Sequence, residues 1–265
     1  MEIQRLKLQK LNNTRDLGGF PVADGRHVKF CKLIRSGKLY KLPKSTRSYL
    51  ENIGVTTVID MRIERERHDY PDSKLNGARQ VILPLVIAEA AGITYTKSLT
   101  KVWQEESKRI ANEFGSADAY MQDVYERILF DERSQKTLKE FFDCVMADEN
   151  CILWHCSAGK DRTGIAAMLL EAVLGVDEEL IIEDYVISNV FQRKKRTLQK
   201  AGLLILPVSR NFKRVLYALM IAKPEYIKHA IATVKERYGS IIEYCKQALG
   251  LTDENIAFLK DKYLE

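Results

Sequence analysis

Apolar positions along the chain alternate between two periods. Short apolar or β-branched runs at Val28–Ile34, Val55–Ile59, Arg79–Pro84 and Cys151–Trp154 read as strands, buried where the run is continuous. The stretches between and after them place apolar residues three and four apart, the period of a helix packed on one face. Pro43 opens such a stretch over Lys44–Asn52 and Gly54 stops it. Ile63–His68 reads as a charged, exposed helix. Ser116 caps a helix carrying Tyr120, Met121, Val124, Tyr125, Ile128 and Leu129, and Lys136–Ala147 turns Leu138, Phe141, Phe142 and Val145 inward. Ile165–Leu174 keeps the helical period, and Asp177 caps a further helix from Glu178. Pro224 suits the first position of a helix carrying Tyr226, Ile227, Ala230, Ile231 and Val234. Tyr238-Gly239-Ser240 breaks that helix, and Thr252 or Asp253 caps the last one. The order of strands and helices predicts an α/β fold. Its centre is a mainly parallel sheet of four or five strands, flanked by helices.

With 265 residues, 46% of them hydrophobic, the chain can bury a substantial core, and a single domain over 1–265 is expected. The least regular part runs from Leu85 to Phe130. Within it, Leu99–Phe114 and the helix capped by Ser116 read either as two core-packing helices or, over 86–115, as a movable helical lid over a pocket. No apolar run approaches the roughly 18 residues of a membrane span, so no integral membrane association is expected. Charged and apolar residues alternate from Met1 to Lys10, unlike a secretory signal. Five cysteines without regular spacing point to a reducing compartment, the cytoplasm, while export without a cleaved signal stays open. A net charge of +6 fits an anionic partner but equally fits ordinary solvated lysines, and no nucleic-acid partner is expected. Arg193-Lys194-Lys195-Arg196 could meet anionic lipid or protein, with a solvated helix face as the default.

Composition leaves the chemistry open, and one stretch narrows it: Trp154-His155-Cys156-Ser157-Ala158-Gly159-Lys160-Asp161-Arg162-Thr163-Gly164. An apolar strand leads in and an apolar helix leads out. A helix N-terminus presents unsatisfied N–H groups and partial positive charge, which suit an anion. Gly159 lets backbone approach a ligand closely, and Arg162 offers a planar fork for two phosphate oxygens. Cys156 lies where the same field favours thiolate, the nucleophilic form. None of Cys31, Cys144, Cys151 and Cys245 has an arginine six positions on. Together these parts suggest phosphoryl transfer through a cysteinyl phosphate, with no metal and no cofactor.

His-Cys-x-x-Gly-Lys-Asp-Arg-Thr-Gly resembles the signature of the bacterial atypical protein tyrosine phosphatases. Some of these also act on phosphoserine, phosphothreonine and phosphoinositides. Asn13-Thr14-Arg15-Asp16-Leu17-Gly18-Gly19, Arg35-Ser36-Gly37 and Asp60-Met61-Arg62 resemble further segments of that family, with Thr14 in place of an aromatic. The resemblance implies a phosphatase-like fold and a phosphorylated protein or phosphoinositide as substrate. Cys156 is then the nucleophile. The N–H groups of Ser157, Ala158, Gly159, Lys160, Asp161 and Arg162, with the Arg162 fork, hold the phosphate. Thr163 donates to the sulfur, and His155 positions the loop. Asp161 is implied as the general acid, with Asp60, at a neighbouring strand end, as the alternative. Lys160 either adds charge at the pocket mouth or points to solvent. Arg15 and Asp16 are candidate scaffolding. Glu64, Arg65, Glu66 and Arg67 read as a solvated face, and His68 as a surface residue rather than a ligand. Two readings from other classes remain: a non-catalytic phosphate-recognition module, and a cysteine-loop arsenate reductase or sulfurtransferase. The first needs neither a thiolate nor an acid. Arsenate reduction usually needs a second cysteine, and Cys151 lies too far along the strand to serve.

Overall fold

The computed structural model describes residues 3, 5–85, 108–110, 112–205 and 209–265. Among them are the strands β1 (Arg15–Asp16), β2 (Leu33–Ser36), β3 (Val55–Asp60), β4 (Arg79–Ile82) and β5 (Cys151–His155). They form one sheet in the order β1-β2-β5-β3-β4. β1 runs antiparallel to β2, and the other pairs are parallel. The mainly parallel α/β architecture predicted from the pattern is therefore present. β2 begins later than the apolar run Val28–Ile34. Cys31 sits at φ 56°, a left-handed conformation that ends extended pairing, so Val28 makes only an isolated bridge with Leu264.

β5 lies in the middle and shows the period of two directly. Ile152 and Trp154 enter the larger core, whereas Cys151 and Leu153 enter the smaller one on the other face. The smaller core is closed by α1 (Lys44–Asn52) through Leu50. The larger is built on α3 (Ala117–Phe130), α4 (Glu132–Ala147), α5 (Asp161–Leu174), α6 (Glu178–Phe191), α9 (Pro224–Tyr238), α10 (Ile241–Gln247) and α11 (Asp253–Tyr263). Asp131 accepts hydrogen bonds from the N–H groups of Arg133 and Ser134, so α4 starts four residues before Lys136. α5 is buried on nearly every side, as its almost unbroken apolar sequence requires. The remaining helices are α2 (Glu64–Asp69), α7 (Arg193–Ile205) and α8 (Arg210–Met220). The expected lid over 86–115 falls largely outside the described residues.

Register places the functional edge. His155 pairs with Ser36 on one side and Asp60 on the other, so β2, β5 and β3 end level. The segments leaving these three strands meet at that edge, the usual ligand crevice of an open α/β sheet.

Candidate active site

The loop 156–160 joins β5 to α5 at this edge, with Cys156 only 2% exposed at its base. Gly159 adopts φ 66°, and a Cβ there would stand 2.3 Å from the Ser36 carbonyl oxygen. Close backbone packing and left-handed geometry both require glycine at this position. Trp154 Nε1 donates to the Thr163 carbonyl at 3.2 Å and ties the two ends of the loop together.

The loop's carbonyls are fastened from outside. Asn13 Nδ2 donates to Ala158 O at 3.1 Å and Gly159 O at 2.8 Å, and Gln192 Nε2 donates to Ala158 O at 3.2 Å. Arg35 Nη2 reaches Gly159 O at 3.3 Å and Lys160 O at 3.5 Å. His155 Nδ1 lies 3.1 Å from Cys156 O. In a trans peptide the N–H of the next residue points opposite to the carbonyl. Holding these oxygens outward therefore turns the N–H groups of Ser157, Gly159, Lys160 and Asp161 to the other side.

Asn13 and Arg35 are themselves held by a buried ionic group. Arg15 donates to Asn13 Oδ1 at 2.8 Å and pairs with Asp184, which also pairs with Arg35. Burial alone would push the Asp184 carboxyl up, but the two guanidinium groups hold it below the ordinary range. Glu171, behind them, is pushed well up by burial and by the charge of Asp184. Arg15 is thus joined to the loop through Asn13. Asp16 is not: it accepts from the N–H groups of Gly18 and Cys31 and shapes the turn after β1.

Arg162 corrects one expectation. Glu66, read from sequence as part of a solvated face, is 2% exposed. Its carboxylate takes Arg162 Nη1 at 2.6 Å and Nη2 at 2.8 Å, Ser157 Oγ at 2.5 Å and the N–H of Ile63 at 3.1 Å. Burial raises the Glu66 carboxyl, but the bonds and charge of Arg162 prevail and hold it below its ordinary value. Alternating charges along α2 hid this role. The available signal was Glu66 at the third helical position, where a carboxylate can reach back to an N–H before the helix. His68 is exposed, as expected.

The Cys156 thiol feels opposing influences. Burial raises it, while the charge of Arg162 and the neighbouring Thr163 hydroxyl and N–H lower it, and the net direction is down. Cys151 contrasts with this: burial pushes its thiol far up, at the other end of β5. Asp161, the first residue of α5, accepts from the Tyr125 hydroxyl at 2.5 Å, and Tyr125 meets the Tyr185 hydroxyl at 2.7 Å. Among the described residues nothing bonds to Asp161 Oδ2.

Lys160 departs from both of its expected settings. Its ammonium is buried and donates to Leu219 O at 3.0 Å and Ile221 O at 2.9 Å, carbonyls at the end of α8. It also lies 3.2 Å from Asp161 Oδ1. Carbonyls at a helix C-terminus attract a cation, and here they outcompete water.

Asp60 is buried and pairs two-fold with Arg62, at 2.8 and 2.7 Å. Arg62 also meets Asp72 at 2.8 Å, and Asp72 lies 3.0 Å from His155 Nε2. Burial alone would lower the imidazole, but Asp72 and Asp60 raise it above its ordinary value. Asp60, Asp72 and His155 bring ligand atoms within 4.8 Å of one another, the spacing of a metal site. The Arg62 guanidinium bridging the two aspartates already supplies the positive charge that a metal would bring.

A family model described as the tyrosine phosphatase family matches residues 6–265. A Cupriavidus necator protein named as a candidate tyrosine-protein phosphatase is 29% identical, over 98% of this chain and 88% of its own. The triple specificity protein phosphatase PtpB of Mycobacterium tuberculosis is 30% identical, over 82% of this chain and 85% of its own. A Nostoc commune tyrosine-protein phosphatase is 29% identical, over 58% of this chain and 47% of its own.

Proposed function

The chain belongs to the tyrosine phosphatase family, whose hydrolysis of phosphotyrosine depends on a cysteine, and on that footing we propose how its residues divide the work. The observation that carries the reading is a fully buried thiol that Arg162 and Thr163 nonetheless hold below its ordinary value, at the N-terminus of a buried helix. A non-catalytic binder has no use for such a thiolate. A reductase lacks a second reactive cysteine beside it, since burial keeps Cys151 protonated.

In the first step the Cys156 thiolate attacks phosphorus, an S–P bond forms and the ester P–O bond breaks. Asp161 Oδ2 gives its proton to the departing oxygen while Tyr125 steadies Oδ1. In the second step water attacks phosphorus, Asp161 takes its proton, the S–P bond breaks, and inorganic phosphate leaves with the thiolate restored. The N–H groups of the loop and the Arg162 fork hold the other phosphate oxygens through both steps. Five guanidinium donors let Glu66 grip one edge while phosphate takes another. Thr163 steadies the thiolate, and His155, Arg15 and Asn13 hold the loop. Asp60 serves as a partner of Arg62 rather than as the acid, because an acid must first carry a proton, and protonating Asp60 would weaken its two-fold pairing with that buried guanidinium.

The substrate range extends to phosphoserine, phosphothreonine and phosphoinositides, a breadth favoured by the name of the Mycobacterium relative. The chain acts as one phosphatase domain in a reducing compartment, the cytoplasm, consistent with five free cysteines. Parallel assays of wild type, Cys156→Ser and Asp161→Asn on an aryl and an alkyl phosphate test the scheme. Cys156→Ser is expected to be inactive on both. Asp161→Asn is expected to lose about 10²–10⁴-fold on the alkyl ester, whose leaving group needs the proton, and less on the aryl ester. Undiminished turnover by Cys156→Ser, or equal losses on both esters for Asp161→Asn, overturns it.

A further inference from the structure

Positive charge on this chain is concentrated in one segment. From Tyr185 to Pro224 there are nine Lys or Arg and no Asp or Glu, against 42 and 36 in the whole chain. The rest of the molecule is therefore net negative. The segment contains α7 and α8. α8 turns Phe212, Val215 and Ala218 into the core and leaves Arg210 and Arg214 exposed. On α7, Leu198, Ala201 and Ile205 instead face outward. Leu198 is 76% and Ile205 85% exposed, and Val190, at the end of α6, is 56% exposed. At about 100° per residue, Leu198, Ala201 and Ile205 fall within roughly 60° of one another on α7. Arg193 and Lys200 follow beyond Ala201, roughly 110–130° round the helix from the centre of the stripe, with the Lys200 ammonium 5.8 Å from the Tyr217 ring of α8, and all five are exposed. Among the described residues nothing covers this stripe.

We propose that α7 is a docking face for an anionic phospholipid bilayer. The Leu198, Ala201 and Ile205 stripe enters the interface, and the cations of the segment meet lipid phosphates. An exposed apolar stripe on a basic segment without an acidic residue has the chemistry of an interfacial helix: apolar burial is joined by charge attraction from long side chains that can reach lipid phosphates round the helix. A protein partner would need an acidic, apolar groove matched to this helix, whereas an anionic bilayer satisfies both requirements without shape. Among the described residues no helix is long and apolar enough to cross a membrane, so the attachment is peripheral. The segment also flanks the catalytic loop at both ends. It leaves at Gln192, bonded to Ala158 O, and returns at Leu219 and Ile221, whose carbonyls hold Lys160. If the active site is as proposed above, a docked α7 sets it at the lipid surface, where phosphate esters carried by the bilayer would reach it.

Co-sedimentation of the full chain with vesicles tests the docking without reference to turnover, so it can fail while the phosphatase reading stands. The vesicles are phosphatidylcholine alone, or phosphatidylcholine with about 30 mol% phosphatidylserine, at about 0.1 M and 0.5 M salt. Binding is expected to the anionic vesicles only, weaker at high salt. Leu198→Gln with Ile205→Gln should lower partitioning at least about tenfold. Each of Arg193→Gln and Lys200→Gln should lower it about fivefold. All four positions are exposed, so Tm and hydrolysis of a soluble aryl phosphate should not move. Equal binding to neutral vesicles, no binding to either, or binding untouched by the Leu198 and Ile205 substitutions overturns the proposal. So does self-association abolished by the same substitutions without any vesicle binding, which would assign the stripe to a second copy of the chain.

Discussion

Glu66→Gln isolates the grip on Arg162. Two hydrogen bonds of 2.6 and 2.8 Å join Arg162 to Glu66, with side chains 9% and 3% exposed. Breaking a buried pair outright costs about 3–5 kcal/mol. Glutamine keeps the shape and one acceptor oxygen, so it loses one bond from Arg162 together with that from Ser157 or Ile63, and the loss is at least that of one hydrogen bond to a charged group, about 1.5–3 kcal/mol. For a chain of this size each kcal/mol lowers Tm by about 2–4 °C. The larger effect is on rate. An arginine fork displaced by an ångström costs about 10²-fold in kcat. The thiolate is not what is lost: without the Glu66 charge the field of Arg162 on Cys156 is stronger, and the thiol falls further. Calorimetry, steady-state kinetics on an aryl phosphate and iodoacetamide alkylation against pH separate these effects. The expected result is a lower Tm, a kcat down about 10²-fold and alkylation at least as fast at neutral pH. A kcat unchanged, or raised with a falling KM, would refute the reasoning, since Glu66 would then be a competitor for the phosphate site. The Glu66 carboxyl is lower when folded than unfolded. Its contribution to stability is therefore complete above the unfolded value, about 4.3, and is lost as pH falls through the folded one.

Thr163→Val removes the hydroxyl that lowers the Cys156 thiol and keeps the volume, so the midpoint of alkylation against pH should move up. The folded-state thiol is lowered relative to the unfolded one, so the stability lent by the thiolate is full above the unfolded value and lost as pH falls through the folded one. A midpoint unmoved by the substitution removes Thr163 from the mechanism. Gly159→Ala drives a Cβ to 2.3 Å from Ser36 O at φ 66°, so the loop must shift. A stability loss of at least about 1–2 kcal/mol and a kcat reduced about 10²-fold are expected, and near-wild-type kinetics would show that the loop is not held as described. Asn13→Ala strips the Asn13 bonds from Ala158 O and Gly159 O at a cost of about 1–3 kcal/mol. It should lower kcat far more than it raises KM for an aryl phosphate or Ki for the product, inorganic phosphate; a pure stability loss with intact kcat makes Asn13 merely structural.

The sheet was legible because β3 and β5 are short, apolar and bounded by turns, which leaves a pattern few alternatives share. The loop was legible because its parts are local: the proposed nucleophile Cys156, Gly159, the proposed acid Asp161 and Arg162 are within seven consecutive residues. What escaped were the partners that act across the fold. Glu66 sits among alternating charges on α2, and nothing local distinguishes a carboxylate facing solvent from one facing Arg162, 96 positions away. Asn13 reads as part of a glycine turn, yet its amide reaches 146 positions along the chain to Gly159 O. Asp184 reads as one acid among several at the start of a helix, yet it carries two buried arginines. α8 escapes because its apolar positions come after an irregular stretch that masks the period.

Lys160 sharpens what the loop's own sequence can decide. A lysine between the glycine and the acid invites the inference that it faces the phosphate. Its position in the fold lets it reach two carbonyls at the end of α8 instead, and a cation beside a helix C-terminus is stabilised there. The positive field at the thiol then comes from Arg162 and the loop's N–H groups, each of which is set by residues from elsewhere: Glu66 from α2, Asn13 before β1, Arg35 from β2 and Gln192 from the end of α6. The short motif supplies the reacting groups, while their alignment depends on four separate elements. A substitution in any of the four can therefore alter kcat without touching substrate. Since Gln192 and Lys160 are the two ties to α7 and α8, whatever engages that basic segment acts on the loop's own anchors.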